Sequence, residues 1–194
     1  MGSDDPLGSP GDGEGPVRSV RLAPFLIDAT AVTNAAFACF VDSTGHVTDA
    51  ERLGWSFVFA SDRDVEQAPC WAAIGRADWR RPTGPGSNVE MHSDHPVVHV
   101  SWYDAVAYVE WPGKCLPTEA EWECAVRGGL DQRCYPWGDE LLPDGMRQCL
   151  IWDGPFPGRA ADAEPVGTGP VQAFPLNGYG LYGVAGNVWD WCPD

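Results

Sequence analysis

Positive charge is scarce in this chain. Twelve Lys and Arg face 28 Asp and Glu, for a formal net charge of −16. A surface of that sign repels phosphate backbones and anionic lipid, so neither nucleic acid nor a membrane is an expected partner. Calcium or a basic peptide is compatible with it. Long apolar runs are also missing, and none reaches the ~20 residues that cross a bilayer. Metal and nucleophile motifs are missing too. The cysteines (Cys39, Cys70, Cys115, Cys124, Cys134, Cys149 and Cys192) are scattered with no CxxC pair, which argues against a zinc framework. No serine stands in a nucleophile elbow, and no glycine-rich loop opens a helix in a phosphate-cradling pattern. The sequence therefore gives no support to serine-hydrolase or P-loop chemistry.

Aromatics and breakers are in excess. Ten Trp, 23 Gly and 18 Pro in 194 residues imply ordered loops packed by aromatic side chains, with little regular structure. The length suits one domain with a real core. The cysteine number is odd, so at least one thiol stays unpaired within the chain. Most are expected to be reduced and partly buried, Cys192 included. The opening MGSDDPLGSPGDGEGP, residues 1–16, is acidic and rich in Pro and Gly. It reads as a flexible lead-in rather than a secretory signal, so a cytoplasmic setting is expected. Residues 17–194 then form the single domain.

Local signals place a few elements. Val17 to Ile27 alternates in part and predicts a strand broken near Pro24. Thr33 is an N-cap for a helix from Asn34 to about Asp42, with Phe37, Phe40 and Val41 as its apolar stripe and Gly45 as its stop. Thr48 to Glu51 is a capping box opening a second short helix. Trp55 to Arg81 reads as irregular, and Pro82 to Asp94 as a loop. His95 to Val100 predicts a short apolar strand. Ser101 with Asp104, and Thr118 with Glu121, are further capping boxes, each opening a helix. Pro112-Gly113 stop the first of these, and Gly128-Gly129 the second. The sum is an α+β domain that is about half ordered loop.

Two places invite chemistry on residue type. His95 and His99 are four apart around the predicted strand and so share a face. With Asp94 they admit a metal site, or they are hydrogen-bonded structural histidines. His46 sits in a turn with no partner that the sequence can name. The second place is NGYGLYGVAGNVWDWCPD, Asn177 to Asp194. Neither helix nor strand periodicity fits it. Its glycines allow a winding loop, and its aromatics give that loop a packed underside. Carbonyls without helix or strand partners must bond elsewhere. With Asp190 and Asn187 beside them they form a set of hard oxygens that suits calcium. A core loop with no ion is the alternative.

That stretch, as GxGLYxxxGNVWxW, resembles the signature of formylglycine-generating enzymes, the sulfatase-modifying factor family. Thr33-Asn34 with Phe37, TGHVTDAE (Thr44 to Glu51), HPVVHVSWYDAVAYVEW (His95 to Trp111), LPTEAEWE (Leu116 to Glu123), Arg127-Gly-Gly and YPWGDE (Tyr135 to Glu140) follow in the same order. TGHVTDAE and the Trp-Arg-Arg-Pro from Trp79 to Pro82 are the narrower motifs and resemble the bacterial form. The resemblance implies a C-type-lectin-like fold. It implies oxidation of a cysteine in a CxPxR segment of an unfolded sulfatase to formylglycine, with O₂ and copper. By position it implies that Trp189 lines the active pocket and that Asp49, Trp71 and Trp79 border a peptide groove. It also implies two calcium sites. One uses Gly183, Gly186 and Val188 through carbonyls and Asp190 through its side chain. The other uses Ile151 and Asp162.

The chain departs from that pattern in several places. Gly183 stands where the family has Asn, and Asp190 where it has Glu. Leu150 replaces the Asn before Ile151, and Ala163 falls on the expected Asp. Cys115 and Cys124 replace a basic and an aromatic residue, and Pro112 a small one. None of the seven cysteines matches the family's copper-binding pair, which lies downstream of the NVWxW loop. The resemblance therefore predicts a fragment or drifted copy, inactive by itself, with calcium at weakened sites and no copper of its own. The alternative reading is a non-catalytic module binding a peptide or glycan.

Overall fold

The computed structural model describes residues 1–4, 8, 13–59, 71–152 and 167–194. Local capping chemistry explains its helices. Thr33 caps α1 (Asn34–Thr44) by accepting from the Ala36 amide, and Gly45 ends it in the left-handed region at φ 69°. Full capping boxes open α2 (Asp49–Leu53), α3 (Trp102–Glu110) and α4 (Glu119–Arg127). In each box a side-chain oxygen and a carboxylate satisfy backbone amides that no helix carbonyl can reach. All four helices fall where the sequence signals place them. Among the described residues no helix is long and apolar enough to cross a membrane.

The core gathers on α1. Phe37, Phe40 and Val41 are buried with Trp79, and Val97, Val100 and Tyr108 pack against them. Phe37 meets the Trp79 ring edge-on at 5.3 Å and stacks with Tyr108 at 5.8 Å. Each buried Phe contributes roughly 2–3 kcal/mol, and the ring geometry adds to that. Trp79 is only 3% exposed. The expectation that it borders a peptide groove is overturned by that burial.

Three further expectations are corrected. Trp55 to Arg81 contains a hairpin: β1 (Trp55–Phe59) pairs antiparallel with β2 (Trp71–Gly75), Phe57 opposite Ala73. The sequence concealed it because the exposed face carries aromatics (Trp55, Phe57 and Trp71) that mask the inward alternation of Val58, Ala72 and Ile74. Val17 to Ile27 is not a strand. Phe25 and Ile27 are half-buried around a fully exposed Leu26, so the alternation is real, but no ladder partner lies among the described residues. His95 to Val100 is not a strand either. Pro96 makes one isolated bridge to Thr33, and His99 turns to φ 60°, which ends any extended run.

The described part of the lead-in is docked rather than free. The Gly2 amide donates to both Glu123 carboxylate oxygens at 3.0 Å, and Arg127 donates to the Gly2 carbonyl at 3.1 Å. Arg18 and Met1 close the same segment, Arg18 N donating to Met1 O at 2.9 Å.

Candidate functional site

One buried carboxylate organises the helix starts. Asp104 is 1% exposed. It accepts from Ser101 N, the N-cap amide of α3, at 2.9 Å and from Asp49 N, the first helical amide of α2, at 3.2 Å. His46, expected to lack a partner, meets it through Nε2 at 2.8 Å. The two lie 58 residues apart in sequence, too far for local spacing to reveal. Asp49 is drawn into the same cluster. Its Oδ2 accepts from Ser101 Oγ at 2.6 Å, and that bond, with Arg52 beside it, holds its carboxyl below the usual range.

The histidine pair of the sequence reading is split. His99 donates from Nε2 to the Pro82 carbonyl at 2.7 Å and accepts at Nδ1 from Ser56 Oγ at 2.8 Å. Burial pushes its pKa down, so the ring is a neutral structural brace between hairpin and core. His95 instead faces His92 and Thr168.

The signature loop is tied to α4 by Asn177. Its Nδ2 donates to the Ala125 and Val126 carbonyls at 2.8 and 3.0 Å, and its Oδ1 accepts from Tyr179 N and Leu181 N at 3.0 Å each. This brings Gly178 so close that a Cβ there would sit 2.2 Å from the Gly128 carbonyl oxygen. The far end is tied to α3. Trp102 donates to the Cys192 carbonyl at 3.1 Å, and the Trp191 indole donates to the Val100 carbonyl at 3.2 Å.

Between these ties opens a cleft of about 560 Å³, mostly apolar, walled by the Phe25–Val32 segment, α3, the start of α4 and the loop from Leu181 to Trp191. Trp189 lines it and is 94% exposed. So much unburied indole is costly in water and suits an apolar contact. Of the other expected groove residues, Trp71 lies half-exposed on the hairpin, Asp49 belongs to the cap cluster, and Trp79 is in the core. Only Trp189 of the four lines the cleft.

The expected metal ligands divide as well. Gly183, Val188 and Asp190 line the cleft. Gly186 sits at φ 68° in a parallel bridge with Leu150, where a Cβ would fall 2.2 Å from the Leu150 carbonyl oxygen and 3.3 Å from Ile151 Cγ2. Ile151 is thus beside Gly186. Asp162 lies outside the described residues, as does Cys70. Asn187, expected to offer an oxygen to an ion, spends its side chain on Gly169: Oδ1 accepts from its N at 2.9 Å, and Nδ2 donates to its O at 3.1 Å. Asp190 accepts from the Trp122 indole at 3.2 Å. Although the residue keeps solvent exposure, protein atoms crowding the carboxyl push its pKa up, opposed by that hydrogen bond. Among the described residues no group of three or more His, Cys, Asp and Glu side chains gathers as metal ligands.

Among the described residues no two cysteines form a disulfide. Four cysteines (Cys39, Cys115, Cys124 and Cys134) are exposed, against the expectation of partial burial. Cys115 lines the cleft. Cys192 does not, and burial together with Asp194, Asp190 and Glu119 raises its thiol pKa, so it is a poor thiolate at neutral pH.

Asn177, Asp104 and Glu123 are the residues that the sequence reading undervalued. Asn177 heads the signature motif and Asp104 sits in a visible box, but their distant partners carry the function of positioning. A formylglycine-generating enzyme of Thermomonospora curvata is 59% identical over all of this chain, which spans 67% of that protein. One of Streptomyces coelicolor is 56% identical over 96% of the chain and 63% of that protein. A Bos taurus protein named inactive C-alpha-formylglycine-generating enzyme 2 is 48% identical over 98% of the chain and 66% of that protein. The chain thus spans about two thirds of the length of these curated relatives. Residues 1–194 match the sulfatase-modifying factor enzyme 1-like domain throughout, and on that match and these identities the chain belongs to the sulfatase-modifying factor enzyme 1-like family.

Proposed function

We propose that this chain is the core of a formylglycine-generating-type protein, in a C-type-lectin-like scaffold, and that its cleft receives the CxPxR segment of an unfolded sulfatase. The observation that carries this is the exposed Trp189, held by the signature loop at the edge of a mostly apolar cleft. An extended peptide can bury the indole there, and the net charge of −16 favours its arginine.

Copper is the group that supplies O₂ activation in such enzymes. It takes soft thiolates, and two are needed. Among the described residues the cleft lining offers one cysteine, Cys115, and Cys192 is biased toward the protonated thiol. These residues do not fit a copper dithiolate, so the chain by itself binds the peptide without oxidising it. The test is incubation with a CxPxR peptide, copper and a reductant, read by tryptophan fluorescence and by mass spectrometry. The peptide is expected to perturb the emission of the protein but not that of Trp189→Ala, with no aldehyde formed. A formylglycine mass would overturn the inactivity. An unchanged emission would overturn the cleft assignment. The same lining, and the identity to a protein named inactive, also support a non-catalytic binding module for a peptide or glycan.

We further propose calcium at Gly183, Gly186, Val188 and Asp190. Carbonyls and a carboxylate are a hard-oxygen set, and among the described residues no cationic side chain pairs with Asp190. Gly186 O already accepts from Val188 N at 2.8 Å, but a carbonyl retains a second lone pair. Saturating calcium is expected to raise the melting midpoint by about 5–10 °C over chelator. Asp190→Ala should abolish that difference. Equal midpoints with and without calcium in the unmodified protein would remove the site.

A further inference from the structure

We propose that the turn from His92 to His95 is a two-histidine site for a divalent transition-metal ion of the zinc type, separate from the cleft. His92 Nδ1 and His95 Nε2 face each other at 3.4 Å, with ring centroids 4.5 Å apart. That separation is long for an N–H···N hydrogen bond. An ion about 2.0–2.1 Å from each nitrogen would see the pair at an angle of roughly 110°, close to tetrahedral. Water would hold the remaining positions.

Three features set these rings up as ligands. The first is tautomer control. His95 Nδ1 is 3.0 Å from Thr168 Oγ1. With the Nδ1 proton donated to that hydroxyl, Nε2 keeps its lone pair toward His92, the arrangement by which ligating histidines are usually oriented. The second is rigidity. The carbonyls of His92 and His95 accept from Asn34 Nδ2 and N at 2.8 and 2.9 Å. Those of Ser93 and Asp94 accept from Ala35 N and Val171 N at 3.0 Å each. Every carbonyl of the turn is therefore fixed, so little entropy is lost when an ion arrives. The third is charge: Asp94 sits beside the rings, and the net charge of −16 draws cations. Imidazole nitrogen selects zinc, nickel or copper over calcium.

The probe is Zn²⁺ itself, titrated against a chromophoric zinc indicator at slightly alkaline pH. The cysteines are alkylated first, because free thiols also take zinc. About one equivalent is expected per chain. His92→Ala changes an exposed side chain and leaves the turn's backbone bonds in place. Loss of an outer-sphere partner alone costs 10–100-fold in affinity, so His92→Ala should weaken binding by at least about tenfold. Equal binding by the two proteins, or none by the parent, overturns the site. A second measurement covers any damage by alkylation. In unmodified protein, Zn²⁺ should slow carbethoxylation of His92 and His95, read by peptide mass spectrometry. An unchanged labelling rate at His92 overturns the site equally.

Discussion

Asp104→Ala should lower the unfolding free energy by about 3–5 kcal/mol, because it removes a buried acceptor shared by two helix starts. The side chain is 1% exposed and receives amides from Ser101 and Asp49 and the His46 ring. Truncation leaves both amides without this buried acceptor. It also removes the negative charge from the positive ends of α2 and α3. In thermal melts this corresponds to a loss of roughly 10 °C or more for a chain of this size. Asp104→Asn keeps an acceptor oxygen but sets an amide donor against an N–H donor, and should cost about 1–3 kcal/mol. Urea denaturation of the two variants checks the order. If Asp104→Ala falls within 1 kcal/mol of the parent, the carboxylate is not the junction that its hydrogen bonds describe.

Asn177→Ala should cost a similar amount, about 3–5 kcal/mol, with the damage localised. Four hydrogen bonds disappear, two of them to the Ala125 and Val126 carbonyls at the buried end of α4. The Ala125 carbonyl still accepts from Gly128 N at 3.2 Å, but the Val126 carbonyl and the Tyr179 and Leu181 amides lose this partner, at about 1–3 kcal/mol for each group left unsatisfied. Hydrogen exchange gives the sharper reading. Leu181 N and Tyr179 N lose their acceptor, so their protection should drop before that of α1. Asn177→Asp keeps the acceptor but puts carboxylate oxygens against two carbonyl oxygens, and should be at least as damaging. Unaltered protection at Leu181 would mean that other contacts seat the signature loop.

Both predictions concern residues visible in motifs whose partners were not. The capping boxes at Thr48, Ser101 and Thr118 could be read from sequence, because donor and acceptor lie three residues apart and any helix brings them together. The aromatic stripe of α1 was legible for the same reason. The hairpin was not. Its strands are five residues each, and aromatics on the exposed face blurred the alternation. The facing histidines were misjudged by one member. Spacing on an assumed strand favoured His95 with His99, but positive φ at His99 sends that ring to Ser56 and leaves His92 as the neighbour. Trp79 was misjudged because tryptophan is equally at home in a groove and in a core, and only packing on Phe37 decides between them.

The sequence by itself determined the family, the α+β character, the helix starts and stops and the acidic surface. Those are set by residue type and by contacts within about four residues, which hold however the chain travels. Tertiary structure alone decided which side chains share a cleft with Trp189, that Cys115 lines it, that Asp104 serves two helices, and that Asn177 fastens a loop to a helix 51 and 52 residues away. Such pairings depend on the whole chain path, which follows from the summed burial of many side chains and is written in no local pattern.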